Sequence, residues 1–164
     1  MIKVSELVSS LIVNKVQFVI IGGQAAVLHG SAYITADIDF CYSRDKENLE
    51  RVVSALKPFH PYLRGAEKNL PFIFDSLTLK NGLNFTFSTD VGDIDLLGEV
   101  SGLGTYQGVL SYSEDMEIYG MQCKVLTLQG LIKAKKSSGR QKDLILLKEL
   151  EALLEIRDKQ SGKT

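Results

Sequence analysis

Residues 19–40 read VIIGGQAAVLHGSAYITADIDF, and the fold is decided there. Phe18-Val19-Ile20-Ile21 is a short, apolar, β-branched run of the kind that forms a strand buried on both faces. Gly22-Gly23 ends it abruptly. Residues 24–29 can then make a short helix, with Gly30 as its stop. Asp37-Ile38-Asp39-Phe40 opens the next strand, predicted over 37–42, and alternates polar with apolar. The unit is therefore strand, glycine turn, short helix, strand.

Upstream, Val4, Leu7, Val8, Leu11 and Ile12 make the stripe of a one-sided helix. Downstream, Ser43 or Asp45 can cap a helix whose core face is Leu49, Val52, Val53 and Leu56, ended by Pro58. Residues 59–71 have no periodicity and hold two of the three prolines, so a long loop is expected. A strand is predicted over Phe72–Leu79, turning at Asn81-Gly82 into a return strand Leu83–Phe87. A polar turn leads to a strand over Asp93–Leu97, and a connection with Gly98, Gly102, Gly104 and Gly108 follows. A second hairpin pairs Glu117–Tyr119 with Gln122–Leu126, and helices are predicted at 127–136 and 141–156. This order predicts an α+β fold, a mixed β-sheet flanked by helices with a short C-terminal helical tail. A single domain is expected over 1–164, with its core at about 15–126.

Composition narrows the function classes. Nineteen Lys and Arg oppose twenty Asp and Glu in 164 residues, leaving a net charge of -1. That argues against strong duplex DNA binding, which calls for a basic excess. Hydrophobic residues make up 45% and charged residues 24%, with a mean hydropathy of +0.04, so a packed core is expected. Two cysteines and no tryptophan exclude a disulfide scaffold and a paired CxxC zinc site. Cys41 and Cys123 are expected as core thiols. The N-terminus lacks a signal-peptide pattern, and no apolar run approaches the ~18 residues of a membrane span. A cytoplasmic location and no membrane partner are expected. The tail Ser161-Gly162-Lys163-Thr164 lacks the first glycine of a P-loop, and His29 and His60 are too few to suggest zinc.

Three features carry chemistry. Glycines at 22 and 23 let the backbone approach a phosphate closely, although alone such a turn is ordinary turn chemistry. Asp37 and Asp39 share one strand face with Cα atoms about 6.6 Å apart, a placement that suits a divalent pair; a solvated strand edge is the alternative for an isolated D-x-D. Asp93-Ile94-Asp95 repeats the alternation on a later strand. Three crowded carboxylates repel unless cations neutralise them, and hard oxygen ligands suit Mg²⁺ or Mn²⁺.

In this order the elements resemble the nucleotidyltransferase superfamily with the DNA polymerase beta-like fold. Its signature is hG[GS], a spacer, DhDh and a third acid on a later strand. Here it reads Ile21-Gly22-Gly23, thirteen residues, Asp37-Ile38-Asp39-Phe40, and Ile94-Asp95-Leu96. The segments VIIGGQAAVLHGSAYITADIDF, TDVGDIDLLGEV (89–100) and LIKAKKSSGRQKD (131–143) look like small stand-alone prokaryotic nucleotidyltransferase-like proteins, some of them related to toxin–antitoxin systems.

The resemblance implies Mg²⁺-dependent transfer of an NMP from an NTP to a hydroxyl acceptor: an RNA end, a protein or a small molecule. Asp37, Asp39 and Asp95 would be the catalytic and metal-binding acids. Gly22, Gly23 and Gln24, with Lys133, Lys136 and Arg140, would bind the nucleotide. Asp95 is preferred over Asp93 because apolar neighbours flank it. Lys133, Lys136 and Arg140 would share a helical face only if the helix ran through Gly139; a solvated helix end is the alternative. Arg64 and Lys68 are read as surface loop residues, with reach to a phosphate as the other option. Residues 31–36 depart from the pattern, because relatives often carry a basic residue there and this chain has Tyr33. No acceptor-binding domain is evident, so the acceptor falls to the last helices or a partner protein. A catalytically inactive nucleotide-sensing or antitoxin-like module is the rival reading. A third reading, a plain α+β binding domain with solvated acids, requires the three carboxylates to lie apart.

Overall fold

A computed structural model describes residues 3–67 and 69–162. Lys68, Lys163, Thr164 and the first two residues of the N-terminal reading lie outside them.

The first helix, α1 (Val4–Val13), buries Val4, Leu7, Val8 and Leu11, the stripe read from the sequence. All four residues of β1 (Phe18–Ile21) are buried, and α2 (Gly22–Leu28) follows without a loop. In β2 (Asp37–Tyr42) the alternation is physical: Ile38 and Phe40 are fully buried, while Asp37 and Asp39 face the other side. Helix α3 (Lys46–Leu56) covers the core with Leu49, Val52 and Leu56, and its chain continues as a short 3-10 turn through Pro58.

Next come β3 (Tyr62–Leu63), α4 (Ser76–Asn81), β4 (Asn84–Thr89) and β5 (Gly92–Leu97). The small ribbon β6 (Glu99–Val100) and β7 (Gly104–Thr105) precedes α5 (Tyr106–Ser111). The hairpin of β8 (Ser113–Ile118) and β9 (Met121–Leu126) leads to α6 (Leu128–Ser138) and α7 (Leu144–Gln160). The main sheet has seven strands in the order β3-β4-β5-β2-β1-β9-β8. Pairs β2–β5 and β1–β9 are parallel, and the other neighbours are antiparallel. The expected α+β class with a mixed sheet is borne out. No helix among the described residues is long and apolar enough to cross a membrane.

Two expectations fail in the same region. Residues 72–79 do not form a strand, and Asn81-Gly82 is not a hairpin turn. Asp75 instead caps α4, its carboxylate accepting from Thr78 N at 2.8 Å, which fixes the first helical turn. Phe72 and Phe74 turn inward against Phe87, with ring centroids 5.9 and 5.4 Å apart. On one side β4 pairs antiparallel with β5, and on the other with β3, inside the stretch expected as loop. The glycine-rich connection likewise contains α5, and the final helix starts at Leu144 after a 3-10 turn over Gln141–Asp143.

Phe87 anchors this edge: it is fully buried and also stacks on Phe85 with centroids 5.6 Å apart. Phe87→Ala is expected to lower unfolding stability by about 3–5 kcal/mol, read from urea denaturation. A loss under about 1 kcal/mol would mean the aromatic cluster does not hold β3 and β4 together.

Candidate active site

The parallel register of β2 and β5 sets Asp37 opposite Asp93 and Asp39 opposite Asp95. Neighbouring strands lie about 4.8 Å apart, so four carboxylates share one small patch of sheet face. One oxygen from each of Asp37, Asp39 and Asp95 lies within 4.8 Å of the other two. The three acids therefore converge, rather than lying apart as a plain binding domain with solvated acids requires.

Local chemistry builds this patch. Gly22 has φ +65°, a left-handed backbone that L side chains rarely adopt. A Cβ on Gly22 would overlap Asp39 Oδ2, and one on Gly23 would come 2.6 Å from Tyr33 Cε1. The glycines therefore let β1 and α2 pass against the acid and the tyrosine. Residues leading into β2 are pinned from the C-terminal helix, where Glu149 accepts from Ala32 N at 2.7 Å and from Ser31 Oγ at 3.0 Å. Thr35 Oγ1 donates to Asp37 O at 2.8 Å and contacts Asp37 Oδ1 at 3.2 Å.

Crowding shifts the acids. Burial, then the charges of Asp37 and Asp95, push the Asp39 carboxyl from 3.8 up to about 8, against a smaller opposing pull from Lys135. Burial also raises Asp95, partly countered by its hydrogen bond with Asp39 and by the Arg64 charge. Buried Asp39 Oδ1 and Asp95 Oδ1 accept no hydrogen bond. Asp95 Oδ1 does have Arg64 Nη2 at 2.9 Å, but that contact is ionic and lacks hydrogen-bond alignment. A buried oxygen without a partner, such as Asp39 Oδ1, costs about 1–3 kcal/mol. Three convergent carboxylates with an unpartnered buried oxygen fit a hard divalent cation such as Mg²⁺ or Mn²⁺.

Arg64 is the residue that sequence reasoning missed as part of the site. It follows β3, and its guanidinium lies 3.7 Å from Asp37, 3.4 Å from Asp93 and 2.9 Å from Asp95. Its Nη2 also donates to the carbonyls of Phe87 and Ile94, both at 3.2 Å. Lys135 is the second addition. Its Nζ lies 3.1 Å from Asp143 Oδ1, while Arg140 Nε donates to Asp143 Oδ2 at 2.9 Å. Burial alone would raise Asp143, but the hydrogen bonds and charges of Lys135 and Arg140 outweigh it and hold the carboxyl below its ordinary value.

The predicted basic face does not form. Gly139 takes φ +63° and caps α6 at Ser138, so Arg140 leaves the helical path. Lys133 lies over the Tyr112 ring, 5.9 Å from its centroid, and Lys136 pairs with Glu151 at 3.3 Å. Neither lines the cavity beside the acids, and neither does Gln24. That cavity measures about 310 Å³ and is lined by Asp37, Asp39, Asp95, Gly23, Tyr33 and Thr35 on one side. Lys135, Arg140 and Lys142 line the other. His29 Nε2 donates to Leu126 O at 2.8 Å, a packing role, and Cys41 and Cys123 are free and buried.

No family model matches the sequence, and no curated protein matches it. Solved structures do share its fold. A candidate nucleotidyltransferase from Thermotoga maritima superposes with a TM-score of 0.59 at 17% identity, over 91% of this chain and 94% of that one. The lincosamide antibiotic adenylyltransferase LnuA, solved with lincomycin bound, gives a TM-score of 0.58 at 13% identity, over 93% of this chain and 98% of that one. The chain has the fold of these nucleotidyltransferases, as the sequence pattern implied.

The raised Asp39 sets a pH signature. Folded Asp39 keeps a proton that the unfolded chain has lost, so its contribution makes stability fall as pH rises from 3.8 to about 8 and level off above. Asp39→Asn removes that titration. Urea unfolding at several pH values without divalent ions is expected to give a flatter decline over this window for the variant; identical slopes would refute the assignment.

Arg64 competes with any cation for the same carboxylates. Arg64→Gln is expected to weaken the metal-free fold and tighten Mn²⁺ binding by roughly tenfold or more. One unit charge about 4 Å away is worth about 1 kcal/mol in water and about 4 kcal/mol at an effective dielectric of about 20. Free Mn²⁺ measured by electron paramagnetic resonance checks this, and an unchanged or weaker affinity would overturn it.

Proposed function

We propose that the protein is a nucleotidyltransferase using Mg²⁺ or Mn²⁺ to move an NMP from an NTP to a hydroxyl acceptor. The observation that carries the reading is the convergence of Asp37, Asp39 and Asp95, with the buried Asp39 Oδ1 unpartnered, against the Gly22-Gly23 turn. LnuA, of the same fold, is an adenylyltransferase, which supports the same reaction class. Free buried cysteines fit a cytoplasmic setting.

On this reading the triphosphate lies in the 310 Å³ cavity, along Gly23 on one wall and Lys135, Arg140 and Lys142 on the other. Asp37, Asp39 and Asp95 hold the metal, which when bound neutralises phosphate charge and polarises the α-phosphoryl group. On the same reading Asp95 takes the acceptor hydroxyl's proton. The acceptor oxygen bonds to the α-phosphorus as the bond from that phosphorus to the α,β-bridging oxygen breaks, and pyrophosphate leaves. Lys135 and Arg140, held by Asp143, sit ready for the leaving group without rearrangement.

One observation favours a non-catalytic nucleotide-sensing or antitoxin-like module instead. Arg64 neutralises part of the acidic patch by itself, so the fold can persist without metal. One experiment separates the two. Wild type and Asp37→Asn/Asp39→Asn are incubated with α-labelled NTPs, Mg²⁺ and cell extract. Label transfer is expected to fall by about 10²–10⁴-fold in the variant, the scale of losing several kcal/mol of charge stabilisation. Equal transfer by both would sink the enzyme reading, and Mg²⁺-dependent NTP binding without transfer by either would favour the sensing module.

A further inference from the structure

A second cavity, of about 280 Å³, continues from the acidic one along the same sheet face. The two share Asp39, Lys135 and Arg140 as lining residues. Their remaining walls differ in chemistry. The first is carboxylate, lysine and arginine, with the half-exposed ring of Tyr33 at its rim. The second is apolar, walled by Leu97, Val100, Leu126, Leu131 and Ala134, with Glu99 among its lining residues.

Resting on the nucleotidyltransferase reading, we propose that this apolar cleft holds the body of the acceptor, and that the acceptor is a compact organic molecule. Its hydroxyl points toward Asp39 and Asp95, and a neutral or cationic group meets Glu99. Three observations carry this. The charged cavity already offers a nucleotide everything it needs: cations for phosphates, acids for metal, and Tyr33 for stacking. Asp39 lines both cavities, so a hydroxyl carried by a molecule in the cleft meets the same acid that faces a triphosphate in the charged cavity. The cleft is too small for a folded partner, and its only cations are the two shared residues, both tied to Asp143. A nucleic-acid end would need further Lys or Arg along its phosphates. Transfer balances as above: the acceptor O–P bond forms, pyrophosphate departs, and the hydroxyl proton passes to Asp95.

The test uses the full chain with the four α-³²P nucleoside triphosphates, Mg²⁺ and cell extract. It reads two quantities, Mg²⁺-dependent NTP retention by equilibrium dialysis and the size class of the labelled product. Wild type is expected to give an acid-soluble product that passes a small-pore filter, resists RNase and protease, and differs from NTP and NMP. Ala134→Phe, which fills the cleft, is expected to lower transfer at least about 20-fold while NTP retention stays within about twofold. Glu99→Lys changes only an exposed side chain, so folding is not at stake, and is expected to lower transfer about fivefold or more with retention unchanged.

Label in acid-precipitable, RNase- or protease-sensitive material would overturn the proposal and leave the nucleotidyltransferase reading standing. So would a loss of NTP retention above about tenfold in Ala134→Phe, which would make the cleft the base pocket. Undiminished transfer by both variants would overturn it as well. Wild type that retains no NTP with Mg²⁺ would overturn the broader reading and this one together.

Discussion

Like-charge crowding on β2 and β5 is the constraint to which the surrounding structure answers. A parallel register puts Asp37 and Asp39 beside Asp93 and Asp95, and burial withholds the water that would screen them. The chain meets this repulsion in three ways. Arg64 spans three of the acids, Lys135 stands across the cavity, and Asp39 moves toward its protonated form. Without all of these, ordinary packing would favour apolar residues at the same positions. An arrangement that raises a carboxyl to about 8 is one whose unfavourable energy a cation held there would relieve.

Glycine is the geometric counterpart of that electrostatic arrangement. Asp39 can sit where it does only because Gly22 carries no side chain and tolerates a left-handed backbone. Any L residue at 22 would meet both the carboxylate and the strain of positive φ. The Gly-Gly pair is thus needed for the acid itself, whether or not a phosphate also lies against it. The two readings of that turn in the sequence, turn chemistry and close approach, are both true of the structure.

What the sequence made legible was whatever repeats with a period. β1, β2 and β5 declare themselves by apolar runs and alternation, and with them come the glycine turn and the three acids. Arg64 was illegible for the opposite reason: β3 spans two residues, too short for any period, and a basic residue in an aperiodic loop looks like solvent-facing surface. The 72–79 region misled because its phenylalanines resemble a strand, while a single cap at Asp75 and packing on Phe87 settle it as a turn and a helix. Gly139 was visible, and its consequence was readable too. A glycine at a helix end takes the left-handed cap and breaks the Lys133–Lys136–Arg140 face, leaving Lys135 to turn inward.

Asp143 links the C-terminal helices to the acids. It is buried, holds Lys135 and Arg140 at hydrogen-bonding distance, and ends the bend between α6 and α7, immediately before Leu144. Opposite charges held this way fix two long, flexible side chains whose freedom would otherwise oppose any phosphate contact. They also moderate the cations, since a phosphate arriving there shares them with Asp143. The near-zero net charge of the chain therefore conceals two patches of opposite sign across one cavity, one of acids with too few partners and one of bases whose partner positions them. On the nucleotidyltransferase reading, an anion that brings its own divalent cation would satisfy both patches at once.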